Sequence, residues 1–174
     1  MRRLLKISSL GVFSLFAAGC ATQAPQSASK QPATDRISQV RTTAYTHSER
    51  GGPRNAIGTR LSGSNIKSAS ADWSRWPLGT KFRIVQTDEV FRIDDYGGAL
   101  VGTGTIDLYK TNRFEMNKWG VQHVDIDVLE WGSTTKSLEV LAPRARNPKV
   151  HAMIVSLNKK PSGRENTHLS PAFF

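Results

Sequence analysis

The sequence predicts a small, mainly β domain of the barrel type with one or two short helices. Short segments of alternating apolar and polar residues recur along it, and 14 glycines and 8 prolines, scattered without a period, supply the turns between them. The length of 174 residues fits one domain with tails, and the single cysteine excludes an intrachain disulfide framework. A hydrophobic content of 38% is too low for a polytopic membrane protein and too high for a disordered chain.

The first three strands are predicted from alternation and one turn. Val40–Thr46 alternates as a strand, and Lys81–Gln86 and Glu89–Asp94 read as a hairpin closed by Thr87 and Asp88. The segment at 77–80 (PLGT) is predicted to be a turn that leads into the first strand of that hairpin.

Two further segments alternate cleanly, and a third is weaker. Thr105–Tyr109 and Val121–Leu129 are predicted strands, and Ser137–Leu141 is a candidate last strand. The residues expected on buried faces are Ile106, Leu108, Val124, Ile126 and Val128. Asp125 and Asp127 alternate with these, so both are expected on the exposed face.

Two helices are predicted, each from a different signal. Asn112 is a candidate N-cap with Glu115 three residues later, which predicts a short helix through Lys118. Apolar residues spaced i, i+3, i+4 and i+7 predict a C-terminal helix that packs on the barrel. These residues are Val150, Met153, Ile154 and Leu157.

The N-terminal segment is typical of an export signal. Three basic residues precede a nine-residue apolar stretch at 10–18, which is too short to span a bilayer. Small residues then lead into Cys20, and this resembles a bacterial lipobox, in which the cysteine is lipidated and becomes the mature N-terminus. An ordinary secretory signal with an incidental cysteine is the alternative. Ala21 rather than aspartate after Cys20 favours an outer-membrane anchor facing the periplasm over an inner-membrane one.

The expected organisation has five parts. Residues 1–19 are a lipoprotein signal peptide, 20–37 a flexible tether, 38–142 the barrel, 143–160 a C-terminal helix and 161–174 a flexible tail. Removal of the signal takes away three basic residues, which lowers the net charge from +10 to +7. This charge favours attraction to a membrane surface or an anionic wall polymer. The export signal argues against nucleic acid as a partner.

Four passages together resemble the 3D (three-aspartate) domain family, whose members include lipoproteins. Residues 70–72 (SAD) and 76–80 (WPLGT) resemble its "A-D-P … I-P-L-G-T" segment, and 95–102 (DYGGALVG) resembles "D-T-G-G-A-I-K-G". Residues 105–109 (TIDLY) resemble "R-I-D-V-Y-F". Shorter matches at 43–46, 58–60 and 119–120 extend the resemblance over about residues 40–130. The sequence departs from the family pattern in two places. It has one extra residue between Asp95 and Asp107, and Val101 stands where the family has a lysine.

The resemblance implies a double-psi β-barrel, related to the catalytic domain of membrane-bound lytic transglycosylase A. It implies cleavage of the MurNAc–GlcNAc bond of peptidoglycan with a 1,6-anhydro product. No cofactor is expected, and no metal is expected because His47 and His123 lack metal-ligand spacing. The implied catalytic residues are Asp107, Asp95 and Asp72. The implied substrate contacts are Tyr45, Thr46, Gly97, Gly98 and Tyr109. The implied partners are peptidoglycan glycan strands and, through Cys20, a membrane.

The chemistry explains why Asp107 is the first candidate for the acid. Cyclisation uses the C6 hydroxyl of the sugar as nucleophile, so one carboxyl group can serve as acid and then as base. Ile106 and Leu108 are expected in the core, which places Asp107 on the opposite face beside apolar walls, where its pKa rises. Asp95 is expected to raise that pKa or to orient the substrate.

For the other candidate residues, a purely structural role is the alternative to a role in the site. Asp95 before Tyr-Gly-Gly can be a turn residue, and Asp72 can be a cap. Gly97 and Gly98 are expected in a tight turn with a positive φ. Trp73 and Trp76 are core candidates, one of which could instead form a sugar-stacking platform. The alternative function is a non-catalytic peptidoglycan-binding lipoprotein that uses the barrel groove; simple hydrolysis is a third possibility.

Overall fold

A computed structural model describes residues 35–49 and 51–159, and this part of the chain is mainly β. Six strands form a closed barrel in the order β1-β5-β2-β4-β3-β6. The strands are β1 (Asp35–Tyr45), β2 (Ile66–Ala71), β3 (Lys81–Ile84), β4 (Val90–Asp95), β5 (Ile106–Tyr109) and β6 (Gln122–Glu130). The helices are α1 (Arg113–Trp119), α2 (Thr134–Leu141) and α3 (Pro148–Lys159), with a 3-10 turn at Ala142–Arg144.

The barrel combines two parallel and four antiparallel pairings. β1 runs parallel to β5 and β2 parallel to β4, while β6 joins β1 to β3 and so closes the circle. β3 and β4 pair as the predicted hairpin, and β2 pairs antiparallel with β5. The small, mainly β barrel predicted for this sequence is confirmed, and the described residues form three helices where one or two were expected.

Local signals account for the correctly predicted elements. Asn112 caps α1 by accepting the Glu115 N–H at 2.9 Å. The Thr80 N–H donates to the Pro77 carbonyl at 3.0 Å in the turn before β3, where Gly79 has a φ of +95°. The predicted apolar stripe lies on α3, with Val150, Met153 and Leu157 buried in the same core as the barrel residues.

Three element predictions were wrong. β1 begins at Asp35, so residues 35–37 belong to the barrel and not to the predicted tether; Ile37 packs against the core. Ser137–Leu141 lies within helix α2 because Ser133 caps it and the buried Ser137 and Leu141 share one helix face at i and i+4. The 143–160 helix begins only at Pro148.

Strand β2 was not predicted at all. Its sequence, IKSASA, contains one large apolar residue and several residues of low β-propensity. Ser68, Ala69 and Ala71 have no exposed surface, since small side chains fit where the barrel is tightly packed. Packing, rather than local propensity, makes this segment a strand.

The burial of two tryptophans decides between their two expected roles, and the burial of one aspartate differs from what the sequence predicted. Trp73 is fully buried and Trp76 nearly so, stacked on Trp131 with ring centroids 6.0 Å apart, so neither offers an open sugar-stacking platform. Asp127 is also buried rather than exposed. Arg36 and Arg83 bind its carboxylate, which holds its pKa well below the usual range.

The signal peptide, Cys20, most of the tether and the C-terminal tail lie outside the described residues. Of the helices that the structure describes, none has the length and apolar character needed to cross a membrane.

Candidate active site

Four neighbouring strands bring separate parts of the sequence into one row across the barrel wall. On β5, Asp107 is in register with Thr43 of β1 and with Ser70 of β2, and Ser70 is in register with Asp95 of β4. Adjacent strands lie about 4.8 Å apart. The backbones of Asp95 and Asp107 are therefore two strand spacings, or about 10 Å, apart.

Asp107 sits on the face predicted for it. Ile106 and Leu108 are fully buried in the core, and the Asp107 carboxyl lies partly buried on the other face. Its Oδ1 accepts a hydrogen bond from the Thr43 hydroxyl at 2.6 Å.

Burial is the main cause that raises the pKa of Asp107 above its ordinary value, and the charge of Glu49 adds to the rise. The Thr43 hydroxyl and the Arg41 guanidinium act in the opposite direction without cancelling it. The acidic neighbour that contributes is thus Glu49, where the sequence suggested Asp95. The carboxyl keeps its proton to higher pH than an exposed aspartate does.

Asp95 lies at an irregularity in strand β4. The register with β2 shifts between Ala69 and Ser70, so both Asp94 and Asp95 are partly exposed on the barrel wall rather than alternating in and out. Burial raises the pKa of Asp95 to about 6, helped by the charge of Asp94 and opposed by a hydrogen bond from the Tyr96 N–H. Asp95 thus titrates near neutral pH.

Asp94 is a site residue that the sequence analysis missed. Its Oδ2 accepts a hydrogen bond from the Ser68 hydroxyl at 2.7 Å, and burial raises its pKa. Strict alternation would place Asp94 and Asp95 on opposite faces. The irregularity in the ladder, which the sequence does not reveal, brings them together.

Tyr45 faces this group of three carboxyls. Its hydroxyl is buried and has no hydrogen-bond partner among residues 35–49 and 51–159. Burial first, and then the charges of Asp95, Asp94 and Asp107, raise its pKa. Tyr45 is a predicted substrate contact, and the structure brings its neutral hydroxyl close to both predicted acids.

The other predicted contacts at the end of β1 and β5 lie next to Tyr45. Tyr109 packs against it with ring centroids 5.6 Å apart, and the Tyr109 hydroxyl is 3.0 Å from His47 Nδ1. Thr46 is buried, and its Oγ1 accepts the Ser48 N–H at 3.0 Å. Thr46 therefore shapes the loop after β1, whereas Tyr109 connects the acidic group to a small pocket beyond it.

Asp72 is separated from the acidic group by its hydrogen bonds. One carboxylate oxygen accepts the Ser74 N–H and the other accepts the Gly102 N–H, both at 2.8 Å. The side chain is only 2% exposed. The cap alternative therefore describes its position: Asp72 fastens the loop between β4 and β5 rather than facing Tyr45.

The predicted positive φ is at different glycines of that loop. Gly97 and Gly98 do not have it, whereas Gly102 and Gly104 do, with φ of +85° and +74°. Gly97 lies close to Leu100, because a Cβ at Gly97 would be 3.1 Å from Leu100 Cδ1 and the leucine side chain would have to shift. The same Cβ would lie 3.6 Å from the hydroxyl of Ser70, which stands between Asp95 and Asp107 in the row, whereas Gly98 lies beside Lys149.

The described residues therefore form a row of acids with raised pKa values around a buried phenol. A carboxyl of this kind can donate a proton to a substrate and recover it. Within the part of the chain that the structure covers, no group of three or more His, Cys, Asp or Glu side chains is arranged to hold a metal ion.

No protein-family model matches this chain, and no curated protein matches it.

Proposed function

We propose that this protein is a peptidoglycan lytic transglycosylase-type enzyme that cleaves MurNAc–GlcNAc bonds and leaves a 1,6-anhydro end. The observation that carries the proposal is Asp107, a partly buried carboxyl with a raised pKa, hydrogen-bonded to Thr43 on the barrel wall. The resemblance of residues 95–109 to the 3D motifs points to the same residue.

In the proposed reaction, protonated Asp107 donates its proton to the glycosidic oxygen as the bond from that oxygen to C1 breaks. The C6 hydroxyl oxygen of the same sugar then bonds to C1, and its proton returns to the Asp107 carboxylate. No water is consumed, and the acid is restored. Asp95, in its ionised form, stabilises the positive charge that develops on the sugar ring.

A binding function without cleavage is the second candidate, and one observation favours it. The pocket beside the site has a volume of only about 100 Å³. Ligand pockets that enclose a small molecule usually hold about 300–1,000 Å³. A glycan strand would therefore lie along an open face of the barrel, which suits retention of the strand better than catalysis, since catalysis gains from a site that excludes water.

We also propose that Cys20 carries a lipid anchor that keeps the domain in the cell envelope, at an outer membrane and facing the periplasm. The lipobox-like sequence supports this location, which gives the barrel access to peptidoglycan strands.

The deciding experiment is digestion of purified sacculi, followed by mass analysis of the released fragments. Anhydro ends support the proposal, reducing ends indicate hydrolysis, and binding without release indicates the second candidate. Asp107→Asn should lower cleavage by about 10²–10⁴-fold, the usual contribution of general acid–base catalysis, while folding and binding persist. Asp88→Asn is the matched control, since that side chain is 84% exposed.

A further inference from the structure

A small pocket lies next to the acidic group, on the far side of Tyr109. Its volume is about 100 Å³, and it is lined by His47, Pro53, Arg60, Leu61 and Tyr109. Because Tyr109 also packs against Tyr45, a molecule bound at the carboxyls could place a short substituent in this pocket. The proposed reaction does not use the pocket.

The backbone of Arg60 ends a short loop that is closed by hydrogen bonds. A β-bridge joins Arg54 to Arg60, and between them the Asn55 N–H donates to the Thr59 carbonyl at 2.9 Å. The buried Asn55 side chain adds two more hydrogen bonds to Thr59. The loop backbone is thereby preorganised, whereas the Arg60 side chain is exposed and still loses rotamer freedom when it binds a ligand.

One cation that lines the pocket has no polar partner among the described residues. The Arg60 guanidinium has no hydrogen bond or ion pair with any residue the structure describes, whereas those of Arg54 and Arg144 donate to the Gly58 and Ala56 carbonyls. His47 Nδ1 is engaged by the Tyr109 hydroxyl, which leaves Nε2 as the remaining polar atom of the ring.

These features match one kind of ligand group. A guanidinium binds a carboxylate through two parallel hydrogen bonds, and Pro53 and Leu61 add apolar surface beside it. The volume suits a carboxylate with a methyl-sized neighbour rather than a whole sugar ring. Glu49 lies on the same loop as His47, and its charge opposes an anion there.

We propose that the pocket containing His47, Arg60 and Tyr109 is a carboxylate subsite, which binds an acidic substituent of the glycan while the sugar lies at the neighbouring carboxyls. Naming the ligand rests on the proposed function. In peptidoglycan two small carboxylates of this kind are the lactyl group of muramic acid where no stem peptide is attached, and the D-alanine end of a stem peptide.

NMR titration of the purified full chain, followed at the His47 ring and the Arg60 side chain, tests the subsite with two matched pairs of probes. N-acetylmuramic acid is compared with N-acetylglucosamine, and D-alanyl-D-alanine with its C-terminal amide. In at least one pair the acid should bind about tenfold more tightly than its neutral partner, the size of one charge-assisted hydrogen bond. The pair that shows this difference identifies the source of the carboxylate.

Variants separate the subsite from general charge effects. Arg60→Gln should weaken the acid probe about tenfold, Arg60→Lys should weaken it less because the charge remains, and Arg146→Gln, outside the pocket, should change nothing. Glu49→Gln should tighten binding. Equal affinity of acid and neutral probes, or unchanged affinity in Arg60→Gln, would overturn the subsite.

The sacculus digestion reports separately on the proposed function. Acid-selective binding lost in Arg60→Gln, without any cleavage of sacculi, would retain the subsite and remove the enzyme. Cleavage of sacculi together with equal binding of all four probes would do the reverse.

Discussion

Asp95 should make the folded protein less stable as the pH rises from about 4 to above 6. Its pKa is about 6 in the folded state against an ordinary value of 3.8, so the native state binds more protons than the unfolded chain across that interval. Each pKa unit corresponds to about 1.4 kcal/mol. Once the group is ionised in both states, the loss reaches at most about 3 kcal/mol in the free energy of unfolding.

Urea unfolding of wild type and Asp95→Asn at pH 4, 5, 6 and 7.5 measures this loss. The amide does not ionise, and its oxygen can still accept the Tyr96 N–H. The two proteins should be similar in stability at pH 4, and the variant should be more stable by up to about 3 kcal/mol at pH 7.5. Asp94 and Asp107 also have raised pKa values, so the variant should keep a smaller decline of the same sign.

The control is Asp88→Asn, which changes an exposed carboxyl at a residue with a φ of +58°, where asparagine is well tolerated. Its stability should follow the wild-type pH dependence. If the difference between wild type and Asp95→Asn is the same at every pH, Asp95 does not titrate near 6.

Three further predictions address the acid, the loop and the anchor. Thr43→Val removes the 2.6 Å hydrogen bond to Asp107, so the pKa of Asp107 should rise further in an NMR titration. The pH above which cleavage declines should rise with it. An unchanged Asp107 pKa would contradict the role given to the Thr43 hydroxyl. Asp72→Ala deprives the Ser74 and Gly102 N–H groups of an acceptor and should cost about 1–3 kcal/mol per group in urea unfolding, with Asp72→Asn intermediate. Cys20→Ser should move the protein from the membrane fraction to the soluble fraction, and unchanged fractionation would refute the lipobox interpretation.

Alternation and capping predicted the elements that obey local rules. Glu89–Asp94 alternates, and Asn112 stands three residues before the N–H that it caps, so both could be identified from short windows. Ile66–Ala71 could not, because its small residues carry a weak strand signal and gain their position from packing. The alternation in Ser137–Leu141 was misleading, since a cap outside that window makes it helical.

The candidate site was predictable only in part. The TIDLY segment alone indicated that Asp107 lies opposite two core residues. Asp94 and Asp95 lie on the same face because the register of the β2–β4 ladder shifts beside them. The structural role of Asp72 follows from its hydrogen bond with the Gly102 N–H, which is 30 residues away in the sequence. Both depend on tertiary register. The buried state of Asp127 likewise depends on Arg36, which lies 91 residues from it.

The extra residue before Asp107 need not displace the acid. The position of Asp107 is set by its register with Thr43 on one side and Ser70 on the other, and not by the length of the preceding loop. Gly102 and Gly104 take up positive φ at little steric cost, and Asp72 fastens the loop at Gly102. A loop can therefore lengthen by one residue while the ladder keeps Asp107 beside the Thr43 hydroxyl, so the departure in spacing is compatible with the proposed chemistry.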